Sequence, residues 1–439
     1  MHLQNLTHVL TSVVLFCAQF IQLDQVTASS LEQTYTSWQL DASFGTNGIV
    51  EFDGDSTPPS YNFLNYRTFP KSDGGIHVLA CHLRLQGKTP VDSCSVFAYS
   101  TLGQLVTIAP YFGRSGFVDV HRYDVQSNNR LIFTAYLEAQ RLNPDLTPDS
   151  TITSTGLTTL FASGFYSNNA LGELRPIAQT DDRILLTNHL GNGDLKLARL
   201  LADGSLDHSF GITRVISNIA DIKGIDTINS HLVLLSPHDT GPSTLCTARE
   251  YDPTGLHVTT IFDPANASNV DLCSSENFVR HPDGGYAWIV PASSYAIYRS
   301  KSTGGIDEAF GNRGSVQITP PSPSGLVFAG GPNPLTVLPS GEIVTALTLR
   351  TSGPITNSTQ YFRMLTGFNP DGSPYSGLGP DGKMILSINA CCSISELFIL
   401  PNGKLLLTGM TYNRFMLIRM KPLSIQNVTY LPIVLNQTG

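Results

Sequence analysis

The sequence predicts an all-β protein: a seven-bladed β-propeller of four-stranded blades, closed by pairing of its N-terminal strand with the C-terminal blade. Three observations predict it. A strand–turn–strand pattern recurs from one end of the chain to the other. The composition suits short strands and tight turns. The first and last copies of the pattern are incomplete in complementary ways.

The clearest copy spans residues 197–211, Leu-Ala-Arg-Leu-Leu-Ala-Asp-Gly-Ser-Leu-Asp-His-Ser-Phe-Gly. It reads as a strand, an Asp-Gly turn and a Leu-Asp-x-x-Phe-Gly ending, with Gly supplying the positive φ that such turns need. Asp182, Arg183 and the run 184–186 precede it as an earlier turn and strand.

Taken in order, the first copy (40–50) keeps only the ending. The next is whole, with strands at 66–69, 76–80 and 95–99 and a close at 112–118. A degenerate copy spans 128–152, and further copies follow at 231–252, 282–311 and 338–372. The last, 400–420, supplies strands without a Phe-Gly ending. Four antiparallel strands repeated around an axis describe a propeller blade. The C-terminal fragment carries the first three strands of a blade and the N-terminal fragment the fourth, so together they make one. Joining them leaves no exposed sheet edge.

The composition agrees. The chain has 439 residues, only 14% of them charged, with 38 Gly and 27 Pro, which favours strands and turns over long solvated helices. A net charge of -8 without a Lys/Arg cluster excludes a phosphate-binding surface, so no nucleic-acid partner is expected.

Residues 1–28 read as a secretory signal peptide. The apolar core is 9–18, and Val26-Thr27-Ala28 offers small residues for cleavage before Ser29. Gln19 and Gln22 interrupt the apolar run, and no later segment is apolar enough to span a bilayer. The propeller is assigned to 29–424, its last blade completed by about 38–52, and a C-terminal tail to 425–439. Export would leave Cys81, Cys94, Cys246, Cys273, Cys391 and Cys392, an even set that points to disulfides. The simplest pairing is Cys81–Cys94, Cys246–Cys273 and Cys391–Cys392. Glycosylation sequons stand at Asn266, Asn357, Asn427 and Asn436.

The pattern Leu-x-x-Asp-Gly-x-Leu-Asp-x-x-Phe-Gly resembles the delta-sixty repeat, found mostly in secreted bacterial proteins. The resemblance covers residues 38–420 and is strongest at 200–211. It implies an extracellular, propeller-like architecture. It brings no catalytic residues.

All six cysteines map to loops on one face, where strands two and three connect and blade follows blade. That face is the expected functional one, because 83–92, 236–244, 319–333 and 350–359 are the longest connections. A vicinal disulfide at Cys391–Cys392 would offer a plate for a sugar or planar ligand. Asp119, Asp271 and Glu396 are the carboxylates nearest the axial opening. The expected role is a binding or display scaffold for extracellular glycan or protein. A glycosidase or lyase working in the axial funnel is the alternative, and needs two convergent carboxylates. A structural cell-surface spacer is the third reading.

No cofactor or metal is expected. Asp203 and Asp207 lack the dense carboxylates of a calcium loop and are read as turn residues. His77 and His82 alternate to opposite faces of a strand. The His, Asp and Ser of 237–243 form no oriented triad. Phe210, Trp38 and Trp288 are read as packing residues.

Overall fold

The computed structural model describes residues 37–53, 62–86, 89–110, 123–135, 138–149, 173–179, 181–189, 194–210, 214–216, 221–226, 231–237, 246–252, 254, 256–262, 276–290, 295–321, 325–330, 333–354, 360–386, 393–410 and 414–423. Seven antiparallel sheets stand in a ring, a seven-bladed β-propeller, and the described helix is one 3-10 turn at Ser376–Leu378.

Blade 1 runs Asn62–Pro70, Ile76–Gln86, Thr89–Tyr99 and Leu105–Pro110. Blade 2 has three described strands, Tyr123–Val125, Leu131–Ala135 and Glu138–Leu142. Blade 3 is Glu173–Ala178, Ile184–His189, Leu195–Leu200 and Arg214–Ile216. Blade 4 is Asp221–Asp226, His231–Pro237, Cys246–Tyr251 and His257–Phe262. Blade 5 is Glu276–Arg280, Tyr286–Val290, Ala296–Arg299 and Ser315–Gln317. In blade 6 the inner strand comes in two pieces, Leu326–Phe328 and Leu335–Val337, both paired with Ile343–Thr351, before Tyr361–Phe368 and Lys383–Leu386. Blade 7 is Ser393–Ile399, Leu405–Met410 and Arg414–Pro422, joined by Trp38–Leu40 and Ile49–Asp53.

The four-stranded blade recurs: four sheets have four described strands, two have five and blade 2 has three. The split inner strand of blade 6 and the split outer strand of blade 7 account for the fives. One expected connection is corrected: residues 83–86 and 89–92 are not a loop but the strand ends of a long hairpin, in register from Ile76↔Tyr99 to Gln86↔Thr89.

Middle strands are apolar on both faces because each blade is sandwiched between two others. Tyr286, Trp288 and Val290 pack toward blade 4, while Ala287 and Ile289 pack toward blade 6. In blade 4, Leu232 and Leu234 join blade 3, and Val233 and Leu235 join blade 5. A period of two therefore builds two interfaces from one strand.

The N-terminal fragment lies where its sequence predicts. Ile49–Asp53 pairs with the last strand, from Ile49↔Ile418 to Asp53↔Arg414. Blade 7 also packs on blade 1: Phe415, stacked on Phe52 of its own blade at 5.2 Å, meets the edges of Phe97 (5.4 Å) and Tyr99 (6.1 Å) of blade 1. Residues 38–421 form one compact unit, and 1–37 with 422–439 another. In the second, Leu423 N donates to Ser37 O at 2.6 Å.

Candidate functional site

The turn between the third and fourth strands is the repeated local unit. In blade 3, Leu201 N donates to Ser205 O, and Gly204 turns the chain at φ +86°. Asp203 Oδ1 accepts the Ser205 amide (2.9 Å) and hydroxyl (2.7 Å), which accounts for this carboxylate as a turn residue. The same bond closes the turns at Ser100–Gln104, Asn143–Thr147 and Asn369–Ser373, so equivalent positions can be read across blades.

Four residues beyond Asp203 the second carboxylate does different work. Asp207 accepts the Ser209 amide (3.0 Å) and hydroxyl (2.5 Å) on one oxygen and Arg199 Nε (2.8 Å) on the other. The Ser209 bond, then Arg199, hold its carboxyl down at about 2 against the opposing effect of burial. The Phe210 ring lies 4.7 Å from the guanidinium carbon of Arg199. Phe210 itself is buried among apolar residues of blades 3 and 4, as its sequence position predicts.

This clasp recurs as Arg141–Asp149 (2.9 Å), Arg299–Asp307 (3.5 Å) and Arg419–Asp41 (2.8 Å). Three of these arginines reach into the next blade. Arg141 Nη1 donates to Ala202 O at 2.6 Å, Arg299 Nη1 to Pro370 O, and Arg419 Nη1 to Thr101 O. The three carbonyls are equivalent: each belongs to the residue after the one whose amide closes the turn.

Two blades replace the clasp. In blade 4, Glu250 takes the arginine position and accepts Arg280 Nη1 of blade 5 at 3.0 Å, so the charges are reversed across the junction. In blade 6, Gly367 and Tyr375 stand for arginine and aspartate, and Tyr375 N donates to Gly367 O (2.9 Å) as Asp207 N does to Arg199 O (2.9 Å). Trp38 Nε1 of blade 7 donates to Tyr375 Oη at 3.3 Å. An arginine does not fit at 367, where a Cβ would approach Tyr375 Cδ1 to 3.1 Å and Leu378 Cδ1 to 3.0 Å.

Blade 1 has neither clasp nor substitute. Ala98 and Val106 occupy the two positions, and Val106 is 67% exposed. Where a guanidinium would lie there is a cleft of about 470 Å³ toward blade 2, lined by Ala98, Val106, Tyr99, His77, Lys71 and Asp73 and by the facing turn residues Pro144, Asp145 and Leu146. Leu146 stands where blade 3 has Gly204, at φ +69°, and is buried against Leu79, Val96 and Leu142.

One buried polar group in the wall has no hydrogen-bond partner among the described residues: His77 Nδ1, whose residue is 2% exposed. Burial, then the nearby Lys71, pushes the His77 imidazole down to about 4, so it is neutral at pH 7. Tyr99 borders the cleft, but its ring packs on Phe415 of blade 7, where burial pushes the phenol up. Lys71 pairs with Asp73 at 2.9 Å. Asp145 Oδ1 accepts the Thr147 amide and hydroxyl, which lowers its carboxyl, and the side chain stays exposed at the rim. A lysine, two carboxylates and a neutral imidazole thus stand beside an apolar wall.

The cleft lies at the turn end of the blades, opposite the face expected from the cysteines. Of the predicted residues, Asp119, Asp271, Cys273, Cys391, Cys392, Asn266, Asn357, Asn427 and Asn436 lie outside the described residues. Cys81 and Cys94 are direct cross-strand partners in register, and Cys246 opposes Pro237. Glu396 is buried on the inner strand of blade 7. It takes Arg67 Nη1 of blade 1 at 3.2 Å and Thr408 Oγ1 at 2.9 Å. Burial raises its carboxyl despite Arg67. Its described contacts tie two blades together. Asp124, which the sequence reading passed over, does the same between blades 2 and 3. It accepts Ala178 N at 2.7 Å and Val125 N at 2.8 Å, with burial raising it to about 6.

Trp288 is fully buried and stacked on Phe278 (5.3 Å) and Tyr298 (5.9 Å), a packing residue as expected. The cleft itself has a signal in the sequence. Arginine precedes aspartate by eight residues at 141/149, 199/207 and 299/307, and residues 98 and 106 break that spacing with Ala and Val.

A match to a family model agrees with the architecture. The profile of a family described as "Domain of unknown function (DUF5122) beta-propeller" matches residues 179–210, the segment that holds the blade 3 clasp. No curated protein matches the sequence. Among solved structures, the chain is similar to a gluconolactonase from Xanthomonas campestris (TM-score 0.32, 12% identity, 68% of this chain and 88% of that one). It is also similar to an α-L-arabinofuranosidase from Fusarium graminearum (TM-score 0.39, 10% identity, 86% and 98%).

Proposed function

We propose that this propeller is a secreted binding scaffold for an extracellular protein or glycan, held in the cleft between blades 1 and 2. The observation that carries the reading is the missing clasp. The neighbouring junctions at this level carry arginine, glutamate or tyrosine–tryptophan links. Blade 1 instead leaves a cleft whose wall holds a buried polar group, His77 Nδ1, that lacks a partner among the described residues. An unpartnered buried polar group costs stability, and a ligand that supplies the partner recovers it.

The test is binding of the full chain to a glycan array and to an extracellular protein fraction, alongside the variant Ala98→Arg/Val106→Asp, which rebuilds the clasp and fills the cleft. Binding that the variant abolishes supports the reading. Absence of any ligand sensitive to it overturns the reading. Export is a second part of the proposal: the N-terminus of the exported chain is expected at Ser29, and an intact residue 1 on the exported protein defeats it. A Cys81–Cys94 disulfide is a third, supported by their direct opposition across the blade 1 hairpin. Peptide mapping without reductant decides it.

A further inference from the structure

We propose that the cleft between blades 1 and 2 receives an arginine side chain of a polypeptide partner, its guanidinium taking the place that Arg141, Arg299 and Arg419 fill at other junctions. This deepens the binding-scaffold reading and rests on it.

The propeller itself shows what the slot holds. At three junctions a guanidinium lies against the next blade's turn, with Nη1 on one equivalent carbonyl, that of Ala202, Pro370 or Thr101. At the junction of blades 1 and 2 the equivalent residue is Pro144, and it lines the cleft. The blade 1 residue that would send the arginine is Ala98, whose small side chain leaves the space open. The shape of the vacancy is therefore that of a planar fork of N–H donors.

The chemistry of the wall agrees with the shape. His77 Nδ1 lacks a partner among the described residues. A neutral imidazole accepts a hydrogen bond through its unprotonated nitrogen. Of the charged residues lining the cleft, Lys71 is paired with Asp73, which leaves the Asp145 carboxylate, held by Thr147, to favour a cation. A net charge of -8 adds a weak attraction of the same sign.

The partner is a polypeptide rather than a free small molecule because of what surrounds the opening. Val106, on the outer strand of blade 1, lines it and is 67% exposed, and Pro144 faces it from blade 2. An exposed apolar rim beside a polar slot suits a chain that buries its neighbouring residues as the arginine enters.

Calorimetric titration of the full chain tests this with three probes: a short peptide with a central arginine, the same peptide with citrulline, and the same peptide with lysine. The arginine peptide is expected to bind at least about tenfold more tightly than either control, because both lack the charged fork. Asp145→Asn is expected to weaken it by about tenfold. Ala98→Arg/Val106→Asp is expected to abolish it while the chain stays folded by circular dichroism. Equal affinity for citrulline, or binding indifferent to both variants, overturns the inference. If a glycan or an arginine-free protein instead binds in a way that the clasp variant abolishes, the guanidinium assignment fails and the binding-scaffold reading stands. If no ligand depends on the cleft, both fail.

Discussion

Arg419 Nε donates to Asp41 Oδ2 at 2.8 Å across a sequence separation of 378 residues. The side chains are 2% and 1% exposed, and Lys404 Nζ reaches the same carboxylate oxygen at 2.7 Å. One guanidinium thereby links the N-terminal fragment, the last blade and, through Thr101 O, the first blade. Removing Asp41 leaves the buried Arg419 charge uncompensated, which costs about 3–5 kcal/mol. Asp41→Ala is expected to lower stability by that amount in urea denaturation, and Arg419→Ala by less, because Lys404 still pairs with Asp41. The double variant Asp41→Leu/Arg419→Met is expected to lose less than Asp41→Ala, since no buried guanidinium is then stranded. A double variant as unstable as the sum of the singles contradicts this account.

His77 makes stability depend on pH. Its folded value of about 4 lies below the ordinary 6.5, so between these the unfolded chain binds a proton that the folded chain refuses. Stability is therefore intact above pH 6.5 and falls as the pH drops toward 4. The loss is about 2 kcal/mol by pH 5. Denaturation at pH 7 and pH 5 measures it, and His77→Leu is expected to flatten the difference. An unchanged difference in that variant would place the titration elsewhere.

Phe415 anchors the packing of blade 7 on blade 1, with Phe52, Phe97 and Tyr99 all within 6.1 Å of its ring centroid. Truncation removes a fully buried ring and leaves a cavity. Phe415→Ala is expected to cost about 3–5 kcal/mol. Phe415→Leu, which retains much of the volume, is expected to cost clearly less. Thermal unfolding of the two variants orders them.

Gly367 carries a steric rather than a conformational requirement, because Tyr375 and Leu378 crowd the place of its Cβ. Gly367→Ala is expected to destabilise by about 1–3 kcal/mol through overpacking. In a Tyr375→Ala background the added penalty should shrink, since one of the two obstructing side chains is gone. Equal penalties in both backgrounds would show that Tyr375 is not the obstruction.

Much of the fold was legible in particular residues. Asp203-Gly204 and Asp371-Gly372 announce turns that form with the expected hydrogen bonds, since both signals are local. Residues 40–50 carry a blade ending without its blade, and they pair with the last strands. The hairpin through Gln86 and Thr89 was misread as a loop. Its polar residues look like a connection, and only pairing with the opposite strand shows that they continue the sheet.

The site was less legible. Arg199 stands in plain view eight residues before Asp207, yet spacing alone does not show that both side chains turn to one side of the same blade. The cleft was harder still, since Ala98 and Val106 carry no functional signature. They mean something only beside the arginines of the other blades.

The amino-acid sequence by itself determined the strand period, the turns and the incomplete end copies, because these depend on residues near one another in the chain. Tertiary structure alone decided that Arg419 meets Asp41, that Glu396 is held by Arg67, and that Ala98 and Val106 border a cleft toward blade 2. Those relationships depend on which blade stands beside which, and a contact between blades has no fixed distance along the chain.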